Sequence, residues 1–415
     1  MMYALLLALV IQAAPDTLTL QAAYDAASAN HPRLEEASQM TAVGARSAEA
    51  VRAGLKPRIA FSGQAVYHSD VAEINLPVPG ASLPSVPHAQ YRAGVGAEYV
   101  LLGRGTVARQ AELLGLEASV SAEEAAVGLW QVRHQVEAAF FGVAKADAQL
   151  EALRLMEEEV QDRIDQLEAS VARGLVTRST LASLAAEHLR LGQQQALAEA
   201  ARTGAIRSLS ILTGQRFIAD ALVIDTESPD RPTGSRPEYT VFDAQRSLLD
   251  HRKEMTAEAT RPRLNLFSEA AVGRPPGLNL FGDQIEPFFS AGVRLAWPAL
   301  DWGAAARQRE AIDLQEAVLE SRKDEFTRAL DLQTAGLETQ LSALRAVIAE
   351  DEKIIALQES IAEDAARRLE AGTATAIDYL AEARAASQAR LDQHLHRIQL
   401  AELQARIMTI RGEAE

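Results

Sequence analysis

LEALRLMEEEVQDRIDQLEASVARGLVTRSTLASLAAEHLRL, residues 150–191, carries the pattern that decides the fold. Leu150, Leu153, Glu157, Val160, Ile164, Leu167 and Val171 are spaced alternately by three and four positions. Beyond Gly174 the rhythm resumes at Leu181, Leu184, His188, Leu191, Gln195, Ala198, Arg202, Ala205, Leu209 and Leu212. Such spacing is that of a left-handed coiled-coil seam. Two helices, about Gly105 to Ala172 and about Thr177 to Leu212, are therefore expected to fold back on each other. Gly174 would be the left-handed residue ending the first, and Thr177 or Ser179 the cap of the second. The outgoing run contains no proline. At about 1.5 Å per residue it would reach roughly 100 Å.

The pattern occurs twice. Ala93, Arg109, Gly174 and Gly214 recur as Ala291, Arg307, Gly372 and Gly412, each 198 positions on. Upstream, His31-Pro32 and Lys56-Pro57-Arg58-Ile59 recur as Arg236-Pro237 and Arg261-Pro262-Arg263-Leu264, 205 positions on. A duplication of this size outranks local propensity. The expected layout is a signal peptide at 1–14 and a first repeat at 15–214, with strands in 58–101 and a helix hairpin at 105–213. An irregular, Pro-rich linker at 215–235 leads to a second repeat at 236–415, with strands in 263–297 and a hairpin at 303–411. A short helix, broken at His31-Pro32, precedes a longer one to Gly54, because proline is excluded from a helix interior and restricts the residue before it.

Between the helices the period changes to two. Tyr91, Ala93, Val95, Ala97, Tyr99 and Leu101 alternate with Arg92, Gly94, Gly96 and Glu98; Phe289, Ala291, Val293, Leu295 and Trp297 alternate with Ser290, Gly292, Arg294 and Ala296. Ile59, Phe61, Gly63, Ala65 and Tyr67, and Leu264, Leu266, Ala270 and Val272, do the same, although Phe267 falls on the polar side. One apolar face with aromatics at its ends and one small, polar or charged face is the signature of a strand between lipid and a wet lumen. A strand of a soluble sandwich gives a similar alternation. The connections, His68–Gln90 and Arg274–Pro287, read as loops, and Trp297 and Trp302 bracket a strand-to-helix junction where an interfacial aromatic belt would sit.

Composition narrows the classes of function. The 415 residues carry a net charge of −16, only 5% aromatics and no cysteine. Nucleic acid is not an expected partner, since phosphate binding needs a basic stripe. Thiolate metal sites, disulfides and a Cys nucleophile are excluded. The apolar core Tyr3–Ile11 is too short to span a bilayer and reads as the core of a signal peptide, cleaved after Ala13 or Ala14. No H-E-x-x-H, G-x-S-x-G or phosphate loop is present, and His394 and His396 face different directions on a helix, so neither an enzyme nor a cofactor is expected.

Four lipid-facing strands cannot stand alone in a membrane, because an open sheet leaves its edge groups unpaired in hydrocarbon. Several chains must contribute, and three would give a twelve-stranded barrel with a lumen. The helix pairs then extend it as a second tube. The fold class expected is mainly α with a small β part: duplicated coiled-coil hairpins and four strands per chain, closing as a homotrimeric barrel on a helical tunnel.

At this point the chain resembles the TolC-like outer-membrane factors of bacterial efflux and type I secretion, over essentially its whole mature length. The resemblance rests on the twice-repeated order of elements and on local patterns. These are the Pro-containing strand entries at Lys56-Pro57-Arg58-Ile59 and Arg261-Pro262-Arg263-Leu264, and the exit Trp297-Pro298-Ala299-Leu300-Asp301-Trp302-Gly303. The turn Gly372-Thr373-Ala374-Thr375-Ala376-Ile377-Asp378-Tyr379-Leu380 and the closing Leu209-Ser210-Ile211-Leu212-Thr213-Gly214 complete them. Leu300 stands where the family usually has Phe, and Thr180 where an Asp would match Asp378.

The resemblance implies a passive duct, its barrel in outer-membrane lipid and its helical part in the periplasm. It also implies two partners, a periplasmic adaptor (membrane fusion protein) and an inner-membrane pump. The adaptor-docking tips would be Arg173, Gly174, Leu175 and Val176 with Ala371, Gly372, Thr373 and Ala374; Asp364 and Asp378 are candidates for a periplasmic gate. The rival reading is a periplasmic coiled-coil scaffold or adaptor with a soluble β-domain.

Overall fold

The structure, a computed structural model, describes residues 17–72, 86–172, 177–217, 223–224 and 236–412. The expected signal peptide, the turn Arg173–Val176 and most of the linker lie outside the described residues. The elements are β1 (Thr17–Leu18), α1 (Leu20–Asn30), α2 (Pro32–Ala53), β2 (Arg58–Tyr67), β3 (Ala89–Leu102), α3 (Arg104–Ala172), α4 (Arg178–Thr213), β4 (Val223–Ile224), α5 (Pro237–Glu258), β5 (Arg263–Arg274), β6 (Glu286–Ala296), α6 (Ala304–Glu370) and α7 (Ala376–Arg411). The order α, β, β, α, α is thus repeated, as the duplication requires. Among the described residues no helix is long and apolar enough to cross a membrane.

Helix ends follow local chemistry. His31 is extended and Pro32 opens α2, where its missing N–H costs nothing. Thr19, Thr177 and Thr375 cap α1, α4 and α7 through their side chains. Gly214 and Gly412 end α4 and α7 in the left-handed region. Asp301 caps α6, its carboxylate accepting from the backbone N–H groups of Gly303 and Ala305, each at 3.0 Å.

The chain forms two compact units. The described residues of the first fall in Met1–Glu36, Glu124–Tyr239 and Asp324–Glu415. Its core has two main parts. In one, Leu18, Leu20 and Tyr24 pack on Val136, Phe140 and Phe141 of α3, Leu209 of α4 and Ala405 of α7. In the other, Val160 and Leu167 of α3 meet Leu184 and Leu191 of α4, Leu369 of α6, and Tyr379 and Ala383 of α7. The coiled-coil seam is thereby realised, and its polar members are paired across it. Gln195 donates to Glu157 at 2.7 Å, His188 lies 3.7 Å from the same carboxylate, and Arg202 is paired with Asp147.

Two findings depart from the sequence reading. The linker is read as irregular and the chain from Thr17 to the His31-Pro32 break as helix-compatible; instead Thr17–Leu18 and Val223–Ile224 pair as parallel strands. These segments stand 206 positions apart, so β1 and β4 are near-equivalent parts of the two repeats. Two-residue strands carry too little alternation to announce themselves.

The second unit takes Ala37–Glu123 and Thr240–Lys323. It holds a four-stranded antiparallel sheet in the order β2-β3-β5-β6. Its helices approach closely: a Cβ on Gly44 of α2 would lie 2.3 Å from that of Ala118 in α3. Buried His251 of α5 bonds the Arg109 carbonyl at 2.8 Å, and buried Glu258 takes Arg109 and Arg261.

Candidate functional site

Two places carry chemistry that a bland fold would not need: the sheet of the second unit, and the α6–α7 turn of the first.

In the sheet, register assigns every side chain to a face. Phe61 lies opposite Val95, Val95 opposite Ala270, and Ala270 opposite Phe289; Ser62, Gly94, Ala271 and Phe288 line up on the other side. The first face is apolar or small along the paired strands until Arg274 at the end of β5. It is not covered by anything in the described chain: Phe61 is 87% exposed, Phe289 71% and Ile59 67%. The second carries Arg58, Gln64, Arg92, Glu98, Asn265, Glu269, Ser290 and Arg294. The alternation read from the sequence therefore survives in three dimensions. Strands β2 and β6 are the edges, each with one neighbour among the described residues.

Phe267, the one aromatic that broke the pattern in β5, lies on the polar face opposite Gly292. A Cβ on Gly292 would come within 2.7 Å of the ring, so the glycine makes room for it. The Arg294 guanidinium sits 5.3 Å from the ring centroid, and Arg92 sits 5.2 Å from that of Phe288. Arg92 also donates to Glu269 at 3.0 Å through Nε. The two aromatic rings on the polar face thus each lie under an arginine, a cation–π arrangement.

At the strand-to-helix exit, Trp297, Leu300 and Trp302 are all exposed. Trp302 has a φ of +52°, a region that side chains other than glycine seldom adopt.

The turn after α6 is a Schellman motif. Gly372 has φ +70°, its N–H donates to Leu369 O at 3.0 Å, and the Thr373 N–H donates to Arg368 O at 2.9 Å. Among the described residues, its two chain neighbours aside, no atom lies within 4 Å of a Cβ built on Gly372. Thr373 also donates its hydroxyl to Arg368 O, and Thr373 is exposed while Ala374 is half-buried.

Of the two acids near this turn, Asp378 forms a capping box with Thr375. The Asp378 N–H donates to Thr375 Oγ1 at 3.2 Å, and Asp378 Oδ2 accepts from the Thr375 N–H at 2.9 Å. Bonds from the Thr375 hydroxyl and backbone hold the Asp378 carboxyl below its ordinary range. Asp364 is half-exposed and paired with Arg367 and Arg368.

Beneath the turn lies a group that the sequence reading missed. Tyr379 is fully buried and donates to Glu159 Oε1 at 2.8 Å, while Arg163 stands 5.2 Å from its ring and pairs with Glu370. Burial first, then the Glu159 charge, pushes the Tyr379 phenol up to about 12. This links both helices of the second hairpin to α3. A second hub lies in the other part of the core. Buried Glu137 accepts from Tyr24 at 2.7 Å and Thr409 at 2.5 Å, with His134 at 3.3 Å. No cluster of metal-ligating side chains occurs among the described residues.

Set against solved structures, the chain is similar over 95% of its length to the CmeC outer membrane channel of Campylobacter jejuni, covering 86% of it at 16% identity and a TM-score of 0.68. The VceC outer membrane protein of Vibrio cholerae gives 16% identity, 97% of that chain and a TM-score of 0.64. The MtrE outer membrane channel of Neisseria gonorrhoeae, in its open state, gives 15%, 89% and 0.65. The chain has the TolC-like outer-membrane channel fold. No family model and no curated protein matches its sequence. The likeness spans both the four-stranded sheet and the paired long helices.

Proposed function

We propose that this chain is the passive outer-membrane exit duct of a tripartite efflux or type I secretion system, working as a homotrimer. The observation that carries the reading is the sheet β2-β3-β5-β6, with an uncovered apolar face, a polar face and an open strand at each edge. In hydrocarbon each unpaired edge group would cost several kcal/mol, and only closure removes edges. Three copies supply twelve strands, enough for a water-filled lumen lined by the polar face. A soluble β-domain on a periplasmic scaffold would have to cover Phe61 and Phe289; here they are open.

The proposal places the barrel in outer-membrane lipid and the hairpins in the periplasm. CmeC, VceC and MtrE are described as outer membrane proteins or channels, which supports the same location here. The adaptor docks at the helix turns, through the region of Arg173–Val176 and of Gly372, Thr373 and Ala374, and hands over cargo from an inner-membrane pump. Asp364 and Asp378 remain the gate candidates, recurring as rings of three acids that favour cations. The duct does no chemistry of its own.

Fractionation tests the reading. The protein should stay in outer membranes through salt and alkaline washes, dissolve only in detergent, and run there as a trimer. A monomer released into buffer without detergent would favour the scaffold instead.

A further inference from the structure

In the β5–β6 loop, residues 275–285, Pro275, Gly277 and Leu280 fold back against the end of the sheet, chiefly over its polar face. A Cβ on Gly277 would touch the Phe288 ring at 3.2 Å. Pro275 and Leu280 enclose, with Gln64, Gln90 and Arg92, a cavity of about 210 Å³. By register, Gln64, Gln90, Arg92 and Phe288 all belong to the polar face, and Gln64 sits on β2, three strands away from β6.

The loop is built rather than draped. Asn279 N–H donates to Pro276 O and Gly282 N–H to Asn279 O, each at 3.0 Å. At its base Arg274 Nε donates to Asp283 at 3.1 Å. Gly282 packs where a Cβ would meet Pro276 at 2.7 Å. Yet two of its apolar side chains are left largely open, Leu278 at 97% and Ile285 at 66% exposed, while Leu280, which lines the cavity, is still 53% exposed. Apolar side chains left open, on a loop fixed by its own hydrogen bonds, need a reason. Their exposure forgoes stabilisation of roughly 1.5–3 kcal/mol for each side chain left unburied.

We propose that this loop is an apolar collar inside the outer mouth of the lumen, with Leu278 at its rim, and that it favours amphiphilic or apolar cargo over hydrated ions. The inference rests on the duct reading, in which the polar face is the lumen wall. Three copies then project three leucines toward one axis. An apolar constriction sheds water and opposes ions, whereas an amphiphile meets a surface that solvates its apolar part.

The full-length trimer in planar bilayers tests it. Leu278→Asp, at a side chain that contacts almost nothing, should raise single-channel conductance about two-fold or more by wetting the constriction. The same variant should slow passage of an amphiphilic dye. Because the chain has no cysteine, Leu278→Cys gives a charged methanethiosulfonate one target per protomer. Its addition should shift the current. Unchanged conductance in Leu278→Asp together with an inert Leu278→Cys would overturn the collar, and dye flux that rises with conductance would overturn the cargo preference. A wild-type protein that forms no detergent-stable trimer and does not enter the bilayer would instead contradict the duct reading, and the collar with it.

Discussion

Arg384 of α7 donates through Nε to Glu187 of α4 at 2.7 Å, joining the return helices of the two repeats. With the repeats offset by 198, Glu187 corresponds to Ala385, so the pair joins nearly equivalent points of the duplicated hairpins. Glu187 is buried, and Arg190 at 3.0 Å is its other partner. Arg384→Ala should therefore destabilise the helical unit by about 1–3 kcal/mol, the cost of removing a hydrogen bond to a buried charge, moderated because Arg384 is itself half-exposed. Urea unfolding followed by helical circular dichroism measures it. An unchanged midpoint would mean the pair contributes nothing.

Tyr379 sets an alkaline limit. Its phenol is neutral in the folded chain and is pushed up to about 12 from an ordinary 10.0. A raised acid gives stability that is fully present below the unfolded value and is lost as pH rises toward the folded one. The melting temperature should hold to about pH 9 and fall between about 10 and 12. Tyr379→Phe should lessen that fall while lowering stability near neutrality by about 1–3 kcal/mol, because Glu159 loses its donor. A wild-type fall that Tyr379→Phe leaves unaltered would assign the transition to other groups.

At the turn, Gly372→Ala and Gly372→Trp share the same backbone penalty, about 1–2 kcal/mol for a left-handed residue with a side chain. Among the described residues nothing lies within 4 Å of a Cβ at this position. With trimers intact in both, a difference in efflux between the variants reports on the bulk tolerated at the turn. If the adaptor docks here, the Trp variant should abolish efflux with trimers intact and the Ala variant should retain most of it. Equal efflux in the two would remove the docking role of Gly372.

In the sheet, Gly94 faces Ala271 so closely that an added Cβ would lie 2.4 Å from the alanine's and 2.7 Å from the Ala270 oxygen. Gly94→Val should overpack this strand pair by about 1–3 kcal/mol and lower the yield of trimer. Gly63→Val, where nothing among the described residues lies within 4 Å of an added Cβ, should leave it near wild type. Gel mobility of unheated samples in detergent distinguishes the two.

Features with a local period were legible in the sequence. The heptads placed Val160, Leu167, Leu184 and Leu209 in the core, and the two-residue alternation placed Phe61 and Phe289 on the uncovered face. The His31-Pro32 break was legible because it is set by a residue and its immediate neighbours, and so was the start of α4, where the sequence offered Thr177 or Ser179 as cap and the structure uses Thr177. Phe267 was visible as an exception, but its partner Gly292 needed the strand register. The hubs were not legible. Tyr24, Glu137 and Thr409 meet across separations of 113 and 272 positions, and Tyr379 and Glu159 across 220. Nothing periodic connects such residues; packing of the duplicated hairpins brings them together. Asp378 shows the reverse case. The sequence marked it for its place after the glycine, and the structure gives it a local role in the helix cap that coexists with the proposed gate.

The central claim is that β2 and β6 are completed by other copies of the same chain. Within one protomer they are the two edges of a four-stranded sheet, separated by roughly three strand spacings of about 4.8 Å, too far for a disulfide. In this cysteine-free chain, a cysteine at Gln64 can be combined in turn with one at each of Phe288, Ser290, Gly292 and Arg294, and oxidised in outer membranes. The account predicts that at least one pairing yields a ladder of linked chains ending at three. No intermolecular link at any of the four positions, in protein that remains folded, would contradict it.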